Sequence, residues 1–188
     1  MDKKELKRKR IAVLHGGRSS EREISIKSGA AVLGSLIKLG YNATGIDAAE
    51  DLVGKLKREK VDIAFIALHG RWGEDGTVQG LLEIMGIPYT GSGVLGSSMA
   101  LDKAIMKLVF DSTGIPTPAY LISTSSHTAA LPLPFVVKPA NEGSTIGISI
   151  VRKKQETARA MRTARRYDSK VIIEEYIKGS EITVGIVN

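Results

Sequence analysis

The chain has 188 residues, enough for one large domain or two small ones with a real core. Its apolar content of 43% and charged content of 25% are ordinary for a globular protein, no apolar run reaches the roughly 18 residues of a membrane helix, and the absence of cysteine excludes disulfides, thiolate catalysis and Cys-based metal sites. The net charge of +7 is concentrated in residues 3–10 and 152–166, where no aromatics interleave, which argues against a nucleic-acid surface.

Residues 1–9 read as a frayed basic tail, and the four apolar residues after them are too few for a signal peptide, so a cytoplasmic protein is expected. From there strands and helices alternate. Arg10–His15 predicts a strand ending in two glycines. Glu21–Leu39 has apolar residues at helical spacing and stops at Gly40. Tyr41–Asp47 reads as a strand, Asp51–Lys60 as a short charged helix, Val61–Leu68 as a strand, and Thr77–Met85 as a helix stopped by Gly86-Ile-Pro88. This alternation implies a parallel sheet with helices on its faces, and ligands at the carboxyl ends of its strands. After about residue 100 the pattern changes. Leu101–Gly114 predicts one helix, Ala119–Ile122 a strand, and Ser123–Pro134 a loop with room for a short helix. Strands Phe135–Lys138 and Gly147–Val151, helix Lys154–Tyr167, and strands Lys170–Glu175 and Glu181–Val187 complete a small α+β unit with antiparallel strands.

Four stretches carry candidate chemistry. In His15-Gly-Gly-Arg-Ser-Ser-Glu21, backbone amides and the positive end of a new helix face one point. The stretch has neither a Walker A ending nor GxGxxG spacing, and a plain helix cap at Ser19 or Ser20 fits the same residues. In Leu68–Thr77, His69, Glu74 and Asp75 share a loop with three glycines, either a binding loop or a turn around a satisfied histidine. In Val136–Gly147, Lys138 precedes a loop holding Gly143, Ser144 and Thr145. Such a loop can fold amides and hydroxyls over phosphate oxygens, and a hairpin with an exposed lysine is the plainer alternative. In Ile172–Glu181, Glu174 and Glu175 either accept hydrogen bonds from an adenine amino group and ribose hydroxyls or form a solvated strand end.

Taken together and in this order, HGGRSSEREIS, ALHGRWGEDGTVQGLLEIMGIPYTGSG, LDK, VVKPANEGSTIGIS and IIEEYIKGSE resemble the D-alanine–D-alanine ligase family of the ATP-grasp superfamily, over residues 10 to 188. The resemblance implies an α/β fold: a Rossmann-like parallel sheet, the pre-ATP-grasp substrate domain, over 10–100, then a small α+β first ATP-grasp subdomain over 101–188. It implies a homodimeric cytoplasmic enzyme that joins two D-alanines through an acyl phosphate, using ATP with Mg2+ or Mn2+, for peptidoglycan precursors. Carried over by position, Glu21 would hold the ammonium of the first D-alanine and His69 would lie near its carboxylate. Lys103 and Lys138 would contact ATP phosphates. Ser144, with Gly143 and Thr145, would close over the phosphates and link to the network of Glu21, making Glu21 and Ser144 the catalytic candidates. Glu174, Glu175, Tyr176 and Ile177 would surround the adenine, and Glu181 would meet the ribose.

Two departures accompany the resemblance. Trp72 stands where the family has a small residue, often glycine. The family's metal ligands, lid tyrosine, transition-state arginine and second D-alanine site belong to a further segment, so no metal ligand is expected in this chain and the chain by itself is expected to be nearly inactive. A non-catalytic module that pairs with a separate chain, and a ligase for D-lactate or D-serine as second substrate, are the alternatives the sequence leaves open.

Overall fold

A computed structural model describes residues 2–124, 131–143 and 145–185. Contacts divide the chain into two compact units, Met1–Met106 with Asn141–Thr145, and Lys107–Ala140 with Ile146–Asn188.

The first unit is built on a parallel sheet in the order β2-β1-β3, with β1 at Ile11–His15, β2 at Ala43–Asp47 and β3 at Ile63–Ile66. Central β1 is apolar without alternation because both its faces are covered: Ile11 to Leu14 are all buried. Ala12 and Leu14 face a core made with Leu56 of α3 (Leu52–Arg58) and with Val78 and Leu82 of α4 (Thr77–Ile84). Helix α2 (Arg22–Lys38) packs along β1 and β2, and its buried Ser25 donates to the carbonyl of Ala67 at 2.7 Å. Beyond β3, the pairing of Ala64 with Tyr89 continues the sheet as an isolated parallel bridge. Helix α4 ends where Gly86 turns to φ +68 and the N–H of Ile87 reaches back to the carbonyl of Leu82, a termination that favours glycine.

The second unit is an antiparallel sheet in the order β4-β7-β5-β6, with β4 at Tyr120–Ser123, β5 at Phe135–Pro139, β6 at Ser149–Val151 and β7 at Val171–Glu175. Helix α7 (Thr157–Arg165) buries Ala160, Met161 and Ala164 against Phe135, Val137, Val151 and Ile173, so Arg159 and Arg162 are left for the outer face, while Arg165 donates to Ser123 Oγ at 3.1 Å. The second basic run is therefore largely the polar side of an amphipathic helix.

Several elements differ from expectation. The tail is not wholly frayed: Lys3–Leu6 forms a short helix, α1, because Asp2 Oδ1 accepts the N–H of Glu5 at 2.7 Å. Val94–Leu101 is a helix, α5, not expected from the sequence; its one glycine and two serines interrupt the apolar residues, which show no helical stripe. The single helix expected over 101–114 is interrupted at Asp102, whose extended backbone ends α5 and whose Oδ1 accepts N–H groups from Ala104 and Ile105 to start α6 (Lys103–Thr113). The helix expected from Lys154 opens as a 3-10 turn over Lys154–Glu156. Residues 181–185 of the last expected strand are not extended into a ladder, and Ile186 and Val187 lie outside the described residues. Half of the expected 123–134 loop, residues 125–130, also lies outside them.

Leu82 is 0% exposed and Ile84, two residues on, is 88% exposed. Replacing Leu82 with alanine should cost about 2–5 kcal/mol in urea unfolding, and replacing Ile84 should stay within about 0.5 kcal/mol. Equal losses would contradict the assigned face of α4.

Candidate functional site

In the first unit, β1 runs into Gly16 and Gly17, and the turn is strapped to the end of β2 by Asp47. Its Oδ1 accepts the N–H groups of Gly17 at 3.2 Å and Ala49 at 2.9 Å, and Arg22, the first residue of α2, grips both of its oxygens. The Arg22 guanidinium, with those amides, holds the Asp47 carboxyl well below the ordinary aspartate range against the opposing effect of burial. One residue before α2, Glu21 is 4% exposed. Ser19 ties it to the next loop: its hydroxyl donates to the carbonyl of His69 at 2.7 Å and accepts the N–H of Glu21 at 3.2 Å.

The loop after β3 is organised by its own acids. Glu74 Oε2 accepts the N–H of Gly70 at 2.8 Å, and Asp75 accepts the N–H groups of Trp72 and Thr77, each at 3.0 Å. Burial pushes the Asp75 carboxyl up, but these amides outweigh it and leave the group below its ordinary value. The imidazole of His69 lies 2.9 Å from Ser28 Oγ through Nε2 and 3.5 Å from Glu74 Oε1 through Nδ1. A third segment, Asn141–Thr145, belongs to this unit by its contacts. Ser20 Oγ donates to Glu142 Oε2 at 3.3 Å, and Lys103 Nζ donates to the carbonyl of Glu142.

These segments meet at the carboxylate of Glu21. A Cβ on Gly70, at φ +67, would fall 2.4 Å from Glu21 Oε2, and one on Gly143 would fall 2.9 Å from the same atom. The backbone at both positions approaches Glu21 closer than any side chain allows. Glu21, Lys103 and Gly143 are thus gathered with the His69 loop. Thr145 sits at φ +67 in the same segment, and Ser144 lies outside the described residues.

Trp72 explains its own oddity in part. It stands at φ +74, a conformation that favours glycine. Its ring carries the Arg71 guanidinium at 4.9 Å and helps line a cavity of about 220 Å3 with Leu52, Leu68 and Leu81.

In the second unit, Glu174 is the centre of a charge cluster. Lys138 of β5 bonds its Oε1, and Lys107 of α6 lies 2.9 Å from its Oε2. Burial pushes the Glu174 carboxyl up, but the two lysines outweigh it and keep the group below its ordinary value. Lys107 escaped the sequence reading, although a lysine within the apolar run of KAIMKLVF, one turn from Lys103, was a signal. The N–H of Glu175 donates to the carbonyl of Ala119 at 2.8 Å and that of Tyr176 to Pro134 at 3.3 Å, which fixes the chain leaving β7. The Tyr176 ring carries the Arg152 guanidinium at 5.5 Å, while Ile177 and Glu181 are exposed. Among the described residues no group of three or more His, Asp or Glu side chains gathers that could hold a metal ion. None of the helices among these residues is long and apolar enough to cross a membrane.

The sequence models described as D-ala D-ala ligase N-terminus and D-ala D-ala ligase C-terminus match residues 47–92 and 110–188. The chain belongs to the D-alanine–D-alanine ligase family. It is 54% identical to a D-alanine–D-alanine ligase of Citrifermentans bemidjiense over 190 aligned positions, covering 100% of this chain and 62% of that protein. It is 50% identical to one of Pseudomonas entomophila, covering 94% of this chain and 57% of that one. The crystal structure of the Bacillus anthracis ligase superposes with a TM-score of 0.81 at 41% identity, over 91% of this chain and 58% of that one. A second structure of that ligase, complexed with ATP, gives 0.78 at 40% identity, over 91% and 60%. The chain therefore spans about three-fifths of the length of the ligases it matches.

Two outcomes test the site's construction. Gly70→Ala should destabilise more than Gly86→Ala. Both carry the left-handed penalty of about 1–2 kcal/mol, but a Cβ at Gly86 meets nothing within 4 Å while one at Gly70 meets Glu21. Equal losses in thermal melts would mean that the Glu21 carboxylate is not confined. The depressed carboxyls of Asp47 and Glu174 stabilise the fold fully above their ordinary values of 3.8 and 4.5, and that stability is lost as pH falls through the lower folded-state values. Asp47→Asn should flatten the acid limb of a stability-against-pH profile; an unchanged limb would contradict the Arg22–Asp47 strap.

Proposed function

We propose that this chain supplies the first-substrate and nucleotide-contacting portion of an ATP-dependent D-alanine–D-alanine ligase. The observation that carries the reading is the convergence of the Gly16–Glu21 turn, the His69–Gly70 loop and the Asn141–Gly143 segment on the buried carboxylate of Glu21. A carboxylate held there is suited to the ammonium of an amino acid, and His69 is suited to a place beside its carboxylate. Lys103 and Lys138 would meet the phosphates of ATP, with Gly143, Ser144 and Thr145 closing over them. Glu174, Glu175, Tyr176 and Ile177 would border the adenine and Glu181 the ribose.

The chemistry follows from two anions that must be brought together. The carboxylate of one D-alanine attacks the terminal phosphoryl group of ATP, ADP leaves, and an acyl phosphate forms. The amine of a second D-alanine then attacks the acyl carbon, forms the peptide bond, loses a proton and expels phosphate. Lysine charge lowers the repulsion of the first step, and a closed loop keeps water from the acyl phosphate. The product serves peptidoglycan precursor synthesis in the cytoplasm, and the enzyme works as a homodimer. The residues that receive the second D-alanine and the metal fall to the part of the ligases that this chain does not match.

Phosphate release with MgATP and D-alanine tests the reading. The chain by itself should show almost none, and joining it to the remaining segment of the Citrifermentans bemidjiense ligase should give D-alanine-dependent turnover. Glu21→Ala in that joined enzyme should lower kcat/KM for D-alanine at least about thirtyfold, the scale of stripping a buried charge of its partner. Turnover by the chain alone, or an indifferent Glu21→Ala variant, would contradict it.

A further inference from the structure

The two lysines on Glu174 are not equivalent. Lys107 has a side chain only 7% exposed; its ammonium donates to Thr117 Oγ at 2.6 Å and to the carbonyl of Pro118 at 3.2 Å and is ion-paired with Glu174 Oε2 at 2.9 Å. Held by two hydrogen bonds and an ion pair, it cannot turn to a ligand without abandoning one of them. Lys138, with a side chain 17% exposed, spends one donor on Glu174 among the described residues and keeps valence for a newcomer. The cluster carries two positive charges and one negative, so it has a net charge of +1 in a largely buried place and accepts one further anion at balance.

This difference assigns separate duties. If Lys138 were the only partner of Glu174, an arriving phosphate that drew Lys138 away would strand a carboxylate that is largely buried, a costly state. With Lys107 fixed to the other oxygen, Glu174 stays compensated while Lys138 moves. We propose that Lys107 is a positioning residue that holds Glu174 in place and so frees Lys138 to pass from Glu174 to a nucleotide phosphate. The proposal rests on the reading of Lys138 as a phosphate contact. Lys107 itself touches no substrate. The tether is short, because Thr117 and Pro118 belong to the extended stretch that leads into β4, which pairs with β7 at Tyr120 and Glu174. Tyr120 adds its ring beneath the Lys107 ammonium at 5.3 Å.

The test compares the wild-type chain with Lys107→Met and Lys107→Arg, each checked for folding by thermal melt. The probes are ADP and adenosine, which differ only in the phosphates. Lys107→Met should weaken ADP binding about tenfold, a loss of about 1.4 kcal/mol, with little effect on adenosine, and Lys107→Arg should recover most of the ADP affinity. A carboxyl-labelled NMR titration should show Glu174 protonating at a higher pH in Lys107→Met than in the wild type, and near the wild-type pH in Lys107→Arg. Equal losses for ADP and adenosine would reduce Lys107 to a structural role and overturn the proposal, as would an unmoved Glu174 titration. A wild-type chain that binds neither probe would overturn the nucleotide reading instead, and the Glu174 titration would still decide whether Lys107 is its anchor.

Discussion

Removing a carboxylate from water costs free energy that the surroundings must return, and each unit of this chain is arranged around one such group. In the first unit it is Glu21, with glycines at 70 and 143 because backbone must come closer to its oxygens than a side chain permits. In the second it is Glu174, with a lysine on each oxygen. Much of the surrounding polar structure serves these two placements. Ser19 couples the Glu21 turn to the His69 loop, Asp47 and Arg22 pin the same turn to β2, and Glu74 and Asp75 spend their carboxylates on the amides of their own loop. The acids that made the His69 loop look reactive in the sequence are thus its internal scaffolding.

How much of this could be read from the sequence depended on whether the cause was local. Strand β1 was legible because four consecutive apolar residues covered on both faces leave an uninterrupted run. Helix α7 was legible because its apolar and basic residues separate at helical spacing. Helix α5 was not, because its apolar residues lie on all sides and mark no face, and only Ser97 among its residues is buried. The break between α5 and α6 depended on one side chain, Asp102, turning back on two amides. No periodicity reports that.

The candidate site divides in the same way. Glu21, His69 and Lys138 stood out because each belongs to a stretch where a strand runs into a glycine-bearing loop. What could not be seen was the use of each group: that the Lys138 ammonium rests on Glu174, that Lys103 rests on the carbonyl of Glu142, and that Lys107 completes the cluster. These are contacts across tens of residues, and only the fold supplies them. Trp72 sits between the two cases. The family pattern marked it as a departure, and the structure gives the reason glycine suits the position, a backbone at φ +74.

The central claim is that Glu21 anchors an amino acid among the converging loops of the first unit. Amide NMR of the chain during titration with D-alanine and with L-alanine measures this most directly. The account predicts that D-alanine shifts the amides of Gly70 and Gly143, that L-alanine does so far less, and that Glu21→Gln abolishes the response. Equal shifts with both enantiomers, or an unchanged response in Glu21→Gln, would contradict it.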